Sequence, residues 1–116
     1  MNRQVPANVW RIVDASLNRA AEGLRVCEDY VRFAWDDVFL CAQLKDLRHA
    51  LAQLAQQLPR TALHASRDTV GDVGTRVTVE DERQRSDAWH ACQASFERTK
   101  QAFRSLEEFG KAISAS

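Results

Sequence analysis

The sequence predicts an all-α fold: a bundle of three long helices, with a short helix and a glycine-containing loop between the second and third. Three observations support this. Apolar residues recur at alternating steps of four and three over three long stretches, the spacing that keeps one face of an α-helix out of water. Only residues 67–77 lack a helical period. A charged helical signature also occurs twice at identical spacing. It reads Arg19, Glu22, Leu24, Arg25, Glu28, Asp29, Tyr30 and Arg32 near one end, and Arg98, Gln101, Phe103, Arg104, Glu107, Glu108, Phe109 and Lys111 near the other.

The first helix is expected over residues 9–34, with Asn8 as its N-cap and Val13, Leu17, Ala20, Leu24, Cys27 and Val31 as the core-facing stripe. Ile12, Val26, Tyr30 and Phe33 form a second apolar arc. A polar stripe of Asp14, Asn18, Glu22, Arg25, Asp29 and Arg32 is thereby hemmed by apolar residues on both sides, so the helix should be mostly buried and its stripe should line a cleft. The second helix should start after a capping Asp36, repeat Leu40, Leu44, Leu47, Leu51, Leu54 and Leu58, and stop at Pro59. Lys45 and His49 share another of its faces. The third should follow Thr78, with Asp81 closing a capping box, and point Ala88, Cys92, Ser95, Thr99, Ala102, Leu106, Phe109 and Ile113 inward. Trp89, Phe96 and Phe103 widen that stripe.

A chain of 116 residues is one domain that buries roughly two thirds of its unfolded surface without needing a disulfide or metal staple. Sixteen basic residues balance sixteen acidic ones, which disfavours nucleic acid and anionic membranes as partners. The start lacks a signal-peptide core, and no apolar stretch is long enough to cross a bilayer, so a soluble, cytoplasmic protein is expected. Cys27, Cys41 and Cys92 are odd in number and lie among apolar helical positions, as reduced, buried thiols without a catalytic role do.

The functional signal lies in charge. Successive amides around Gly71 and Gly74 in the 67–77 segment suit a concave anion site, and the same composition also suits an ordinary turn. On the stripes, Glu22 with Arg25 and Asp29 with Arg32 are either plain surface pairs, each worth about 0.2–0.5 kcal/mol, or parts of a site. The second stripe, with Gln101, Arg104, Glu108 and Lys111 opposite the apolar face, reads as solvated; the first reads as a cleft. His49 taken alone is structural. No nucleophile triad, zinc spacing or Walker loop is present. Carboxylates alternating with arginines and lysines suit phosphoryl transfer to an already anionic oxygen, which needs Mg²⁺ and cations more than a general base.

The run Asp14, Ala15, Asn18 through Tyr30, Arg32 and Phe33 resembles the start of the monofunctional hydroxymethylpyrimidine phosphate kinases of thiamine biosynthesis, domains often fused ahead of thiamine-phosphate synthase. The likeness continues through Leu44, Lys45, Leu47, Arg48 and His49, then Arg67, Asp68, Thr69, Asp72, Val73, Gly74 and Thr75, and finally Arg98 and Arg104 to Glu108. It implies an ATP- and Mg²⁺-dependent kinase converting 4-amino-5-hydroxymethyl-2-methylpyrimidine phosphate to the diphosphate.

By this resemblance, Arg19, Arg25, Arg48, Arg67 and Arg98 contact phosphates as the catalytic cations, and Glu22 and Asp29 hold Mg²⁺ with Glu107 as a third donor. Asn18 reads the aminopyrimidine edge; Lys45, His49 and Arg104 join the substrate and nucleotide contacts, and Asp68, Asp72, Gly74 and Thr75 shape the closing loop. One departure stands out: Gln101, Ala102, Phe103, Arg104 replaces the family's Glu-Ala-Leu-Arg, removing a possible metal ligand from the second copy. The chain ends at Ser116, before any synthase barrel, as a standalone form or an excised domain would, and no synthase chemistry is expected of it. A second reading, a non-catalytic helical module that binds a ligand or dimerises, also accommodates the apolar stripes, and a homodimer is expected on either.

Overall fold

The computed structural model describes residues 5–67, 71 and 87–114, and these are helical with no strand among them. The elements are α1 (Ala7–Phe33), α2 (Val38–Gln56), α3 (Arg60–Ala65) and α4 (Ala88–Ser114). α1 is the hub, and α2, α3 and α4 all pack against it. Val13 and Leu17 of α1 lie with Leu54 near the end of α2 and Ile113 near the end of α4, whereas Val31 lies with Leu40 and Trp89, near the start of each. α2 and α4 therefore both run antiparallel to α1 and parallel to each other.

The expected stripe is the core. Val13, Leu17, Ala20, Leu24, Cys27 and Val31 are all buried, joined by Leu51, Leu63, Cys92 and Ala102. The second arc is only partly covered: Val26 and Phe33 are exposed, while Ile12 and Tyr30 are half-buried, Tyr30 against the rings of Trp35 and Trp89. In α2 only Leu51 is buried and Leu44 is half-buried, while Leu40, Leu47 and Leu54 are exposed; Leu58, just past the helix, is half-buried. In α4 Cys92, Thr99 and Ala102 are buried, but Ala88 and Phe109 of the expected inward set are exposed.

The helix ends depart from the sequence reading by one to a few positions, with clear causes. Pro6 occupies the N-cap of α1 without a side-chain cap, its carbonyl accepting from Val9 and Trp10, so Asn8 lies inside the first turn. Asp37, not Asp36, caps α2, its Oδ1 accepting from the Leu40 amide at 2.9 Å. Asp36 instead takes φ of 50°, a left-handed turn that Asp tolerates better than most residues, and lets the chain reverse between α1 and α2. α2 ends at Gln56, and Pro59 opens α3. Asp87 accepts from the His90 amide at 2.7 Å where α4 begins; the expected start at Thr78 with Asp81 lies outside the described residues.

α1 and α4 approach closely through small residues. Gly23 of α1 faces Thr99 of α4, whose hydroxyl donates to the Ser95 carbonyl at 2.8 Å. A Cβ on Gly23 would collide with Thr99 Oγ1 and lie 2.9 Å from the Ser95 carbonyl oxygen, part of the backbone. Gly110 meets nothing within 4 Å. Gly23→Ala should therefore cost about 1–3 kcal/mol by overpacking, whereas Gly110→Ala should be neutral or stabilise by up to about 1 kcal/mol through helix propensity. Paired thermal melts of the two variants check this.

Candidate functional site

Two carboxylates of α1, Asp14 and Glu28, are buried, and each is met by an arginine arriving from another element. Burying a lone carboxylate is costly, so each demands a cation with well-placed donors. Arg67, just after α3, forms a two-pronged fork on Asp14 through Nε at 2.7 Å and Nη2 at 2.8 Å. Arg48 of α2 reaches Glu28 through Nε at 2.8 Å and Nη2 at 3.4 Å. The hydrogen bond from Arg48 holds the Glu28 carboxyl below its ordinary range, the charges of Arg48, Arg25 and Lys45 adding to it against the opposing effect of burial. The Asp14 oxygens in turn push the Arg67 guanidinium further above its usual value.

Beside the Asp14–Arg67 fork lies an open polar recess of about 570 Å³ over the first turns of α1. Asn8, Arg11, Asn18 and Arg19 of α1 line it with Arg67 and, from α4, Ser105. Three arginines against one aspartate leave it cationic, and the N-terminal end of α1 adds the positive end of a helix dipole. Guanidinium forks, a carboxamide and a hydroxyl suit the oxygens of a phosphorylated ligand.

The sequence-selected residues divide. Asn18, Arg19 and Arg67 are brought together in the recess. Glu22, Arg25 and Asp29 are exposed further along the stripe, so the expected cleft is not formed over them; Arg25 instead approaches Asp29 at 3.9 Å as an ordinary helix-face pair. The reason is that Val26 and Phe33 stay exposed, which leaves one bank of that stripe in solvent. Arg48 is committed to Glu28, while Lys45 and His49 are exposed on α2 and Arg98 on α4. Arg104 pairs with Glu107 at 3.5 Å and Glu108 at 3.3 Å, and Lys111 with Glu108 at 3.3 Å, the solvated face expected for the second copy.

Glu22, Asp29 and Glu107 are not gathered into one metal-binding set, and no group of three His, Cys, Asp or Glu side chains among the described residues could hold an ion. Glu107 borders a different cavity, with Val13 and Leu17. Asp68, Asp72, Gly74 and Thr75 lie outside the described residues. The sequence reading passed over Arg11 and Ser105 as lining residues and over Asp14 and Glu28 as anchors. Arg11 shares a helix face with Asn18, seven residues on, which is the signal that could have found it.

The thiols are as expected for Cys27 and Cys92, both buried; Cys41 is half-buried. Burial, with Cys92 adjacent, pushes the Cys27 thiol up to about 12, so it stays protonated at neutral pH and is no nucleophile.

Fold and site together define a small all-helical protein with an arginine-lined recess at one end of its central helix. Its sequence matches the ThiD2 family over residues 11–116, and the chain belongs to that family. It is 48% identical over 103 residues to the thiamine-phosphate synthase of Rhodopirellula baltica, covering 89% of this chain and 28% of that protein. With the thiamine-phosphate synthase of a Synechocystis species it shares 44% over 111 residues, 96% of this chain and 31% of the relative, and with that of Nostoc punctiforme 43% over 108 residues, 93% and 30%. The chain thus spans under a third of the length of these relatives. No solved structure matches it. No helix among the described residues is long and apolar enough to cross a membrane.

Because Glu28 is held ionised below its ordinary pKa of about 4.3, its contribution to stability is fully present above that value and is lost as pH falls through the depressed one. Removing the charge with Glu28→Gln should flatten the acid side of a melting-temperature profile and lower stability at neutral pH. An acid limb unchanged from the parent chain would overturn this.

Proposed function

We propose that the chain is a phosphomethylpyrimidine kinase of thiamine biosynthesis, transferring the γ-phosphoryl group of ATP to 4-amino-5-hydroxymethyl-2-methylpyrimidine phosphate. One observation carries the reading: Arg11, Arg19 and the Asp14-anchored Arg67 converge with Asn18 on one cationic recess. Membership of the ThiD2 family, and relatives that are thiamine-phosphate synthases, support the pathway. A phosphate oxygen of the substrate attacks the γ-phosphorus, the bond to the β,γ-bridging oxygen breaks, and ADP leaves. The nucleophile is already anionic, so no general base is required.

In this reading Arg19 and Arg11 neutralise and align the anionic oxygens, Arg67 presents its remaining donor edge from a fixed orientation, and Asn18 offers a carboxamide to the aminopyrimidine. Recess arginines left without a phosphate partner would disfavour the neutral alcohol as substrate. Glu22, Arg25 and Asp29 extend the charged surface away from the recess, and the nucleotide brings its own Mg²⁺, held largely by polyphosphate oxygens. Arg98, Arg104, Lys45 and His49 remain exposed cations or donors available to the nucleotide on the same reading.

Incubation with ATP, Mg²⁺ and the pyrimidine monophosphate should yield ADP and the pyrimidine diphosphate in equal amounts. Ligand-induced stabilisation without turnover would favour a non-catalytic binding module instead. Arg19→Ala should lower kcat/KM at least about tenfold, a loss near 1.4 kcal/mol of transition-state binding. Its stability should shift by less than about 0.5 kcal/mol, since the side chain is exposed. Full turnover in this variant would remove the recess from the mechanism.

A further inference from the structure

None of the nine aromatic side chains of this protein is buried: Trp10 and Tyr30 are half-buried and the other seven are exposed. Aromatic side chains normally dominate cores and interfaces, so their placement needs a reason. The described chain is also a slab of 52 × 33 × 20 Å with a radius of gyration of 15.9 Å, where a compact domain of this length has about 13 Å. Twenty ångströms is two helix layers. A bundle face is therefore left open.

That face has a regular construction. In α2 the heptad stripe splits into a row packed on α1 (Leu44 and Leu51, continued by Leu58 just past the helix) and a row left in water (Leu40, Leu47, Leu54). In α4 the row Cys92, Thr99, Leu106 packs on α1 while Trp89, Phe96 and Phe103 stay exposed. The exposed rows rise on either side of a groove floored by α1, which widens into cavities of about 490 Å³ near Val31 and about 720 Å³ near Leu17. α2 and α4 run parallel along it. The positions outside the leucine row are Gln43, Ala50 and Gln57, so no charge on that flank must be desolvated to cover it. On the other flank Lys100 lies over the Phe96 ring at 5.6 Å and pairs with Glu97 at 3.0 Å, a polar rim already satisfied within the chain.

We propose that this groove is the interface of a homodimer, occupied by the same face of a second copy. The six row side chains are 36–51% exposed; at roughly 150–250 Å² for a whole aromatic side chain and somewhat less for leucine, they leave on the order of 500 Å² of apolar surface in water. With the flanking glutamines this approaches the roughly 800 Å² that each partner contributes to a stable interface. A two-fold axis running along the groove sets the leucine row of each chain against the aromatic row of the other, an isologous contact in which every exposed row finds an apolar counterpart. Sixteen positive against sixteen negative charges leave no net repulsion between copies. The recess at Asp14 and Arg67 lies on another side of α1, so the dimer stands independently of the kinase reading.

Light scattering on the eluting 116-residue protein, over a range of concentrations, should give the mass of two 13.1 kDa chains. Leu47→Glu and Phe96→Glu should each return the monomer mass with the far-ultraviolet helical signal retained, and Val26→Glu, on the opposite side of α1, should leave the dimer intact. Should the glutamate variants fail to fold, Leu47→Gln and Phe96→Gln should raise the dimer dissociation constant at least tenfold. A parent chain that stays monomeric throughout would mean that something other than a second copy covers the groove, and would overturn the proposal. So would a dimer indifferent to both rows.

Discussion

Two carboxylates that cannot stay alone organise this molecule. Asp14 and Glu28 lie fourteen residues apart on α1, about four turns, and both are turned from water by the helices packed beside them. Each obliges a different part of the chain to deliver a guanidinium: α2 must place Arg48 against one end of α1, and the exit from α3 must place Arg67 against the other. Apolar burial alone lets helices slide and rotate over one another. Charged forks with bonds near 2.7–2.8 Å do not, so the pairs act as registration pins on a core built largely of small and aliphatic side chains.

The pins also explain where the cationic recess lies. Arg67 cannot leave Asp14 without stranding a buried charge, so one edge of its guanidinium is aimed while the other remains beside Arg11, Arg19 and Asn18. A site assembled this way is oriented before any ligand arrives, which lowers the ordering cost of binding an anion. Arg48 sits differently: its fork serves Glu28, and it is only a quarter exposed.

Much of the fold was legible in the sequence because helical periodicity is local. The stripe from Val13 to Val31 emerges from spacing alone, and every residue in it is buried. What spacing could not say is which flank of that stripe a neighbour covers. Glu28 and Asp29 are adjacent in sequence and point about 100° apart, so a modest rotation of α1 decides which goes inside; packing turned Glu28 inward and left Asp29 in solvent with Glu22 and Arg25. The same ambiguity separates Asp36 from Asp37 as cap of α2, since either has the side chain for it and only the turn between α1 and α2 selects one. Of the candidate site, Asn18 was readable from the polar stripe of α1 and Arg19 and Arg67 from the family resemblance; Arg11 was legible only as a neighbour of Asn18 on the same helix face, and Ser105 joins them only through the packing of α4 beside α1.

The seam between α1 and α4 has a practical side. Cys27 lies in it, a protonated thiol donating to the Cys92 carbonyl at 3.8 Å, and only the deprotonated form reacts with electrophiles. With only 4% of Cys27 exposed, a labelling reagent reaches this sulfur when the two rods part. The chain carries a built-in stopwatch for its own breathing, one that ticks without any residue being replaced.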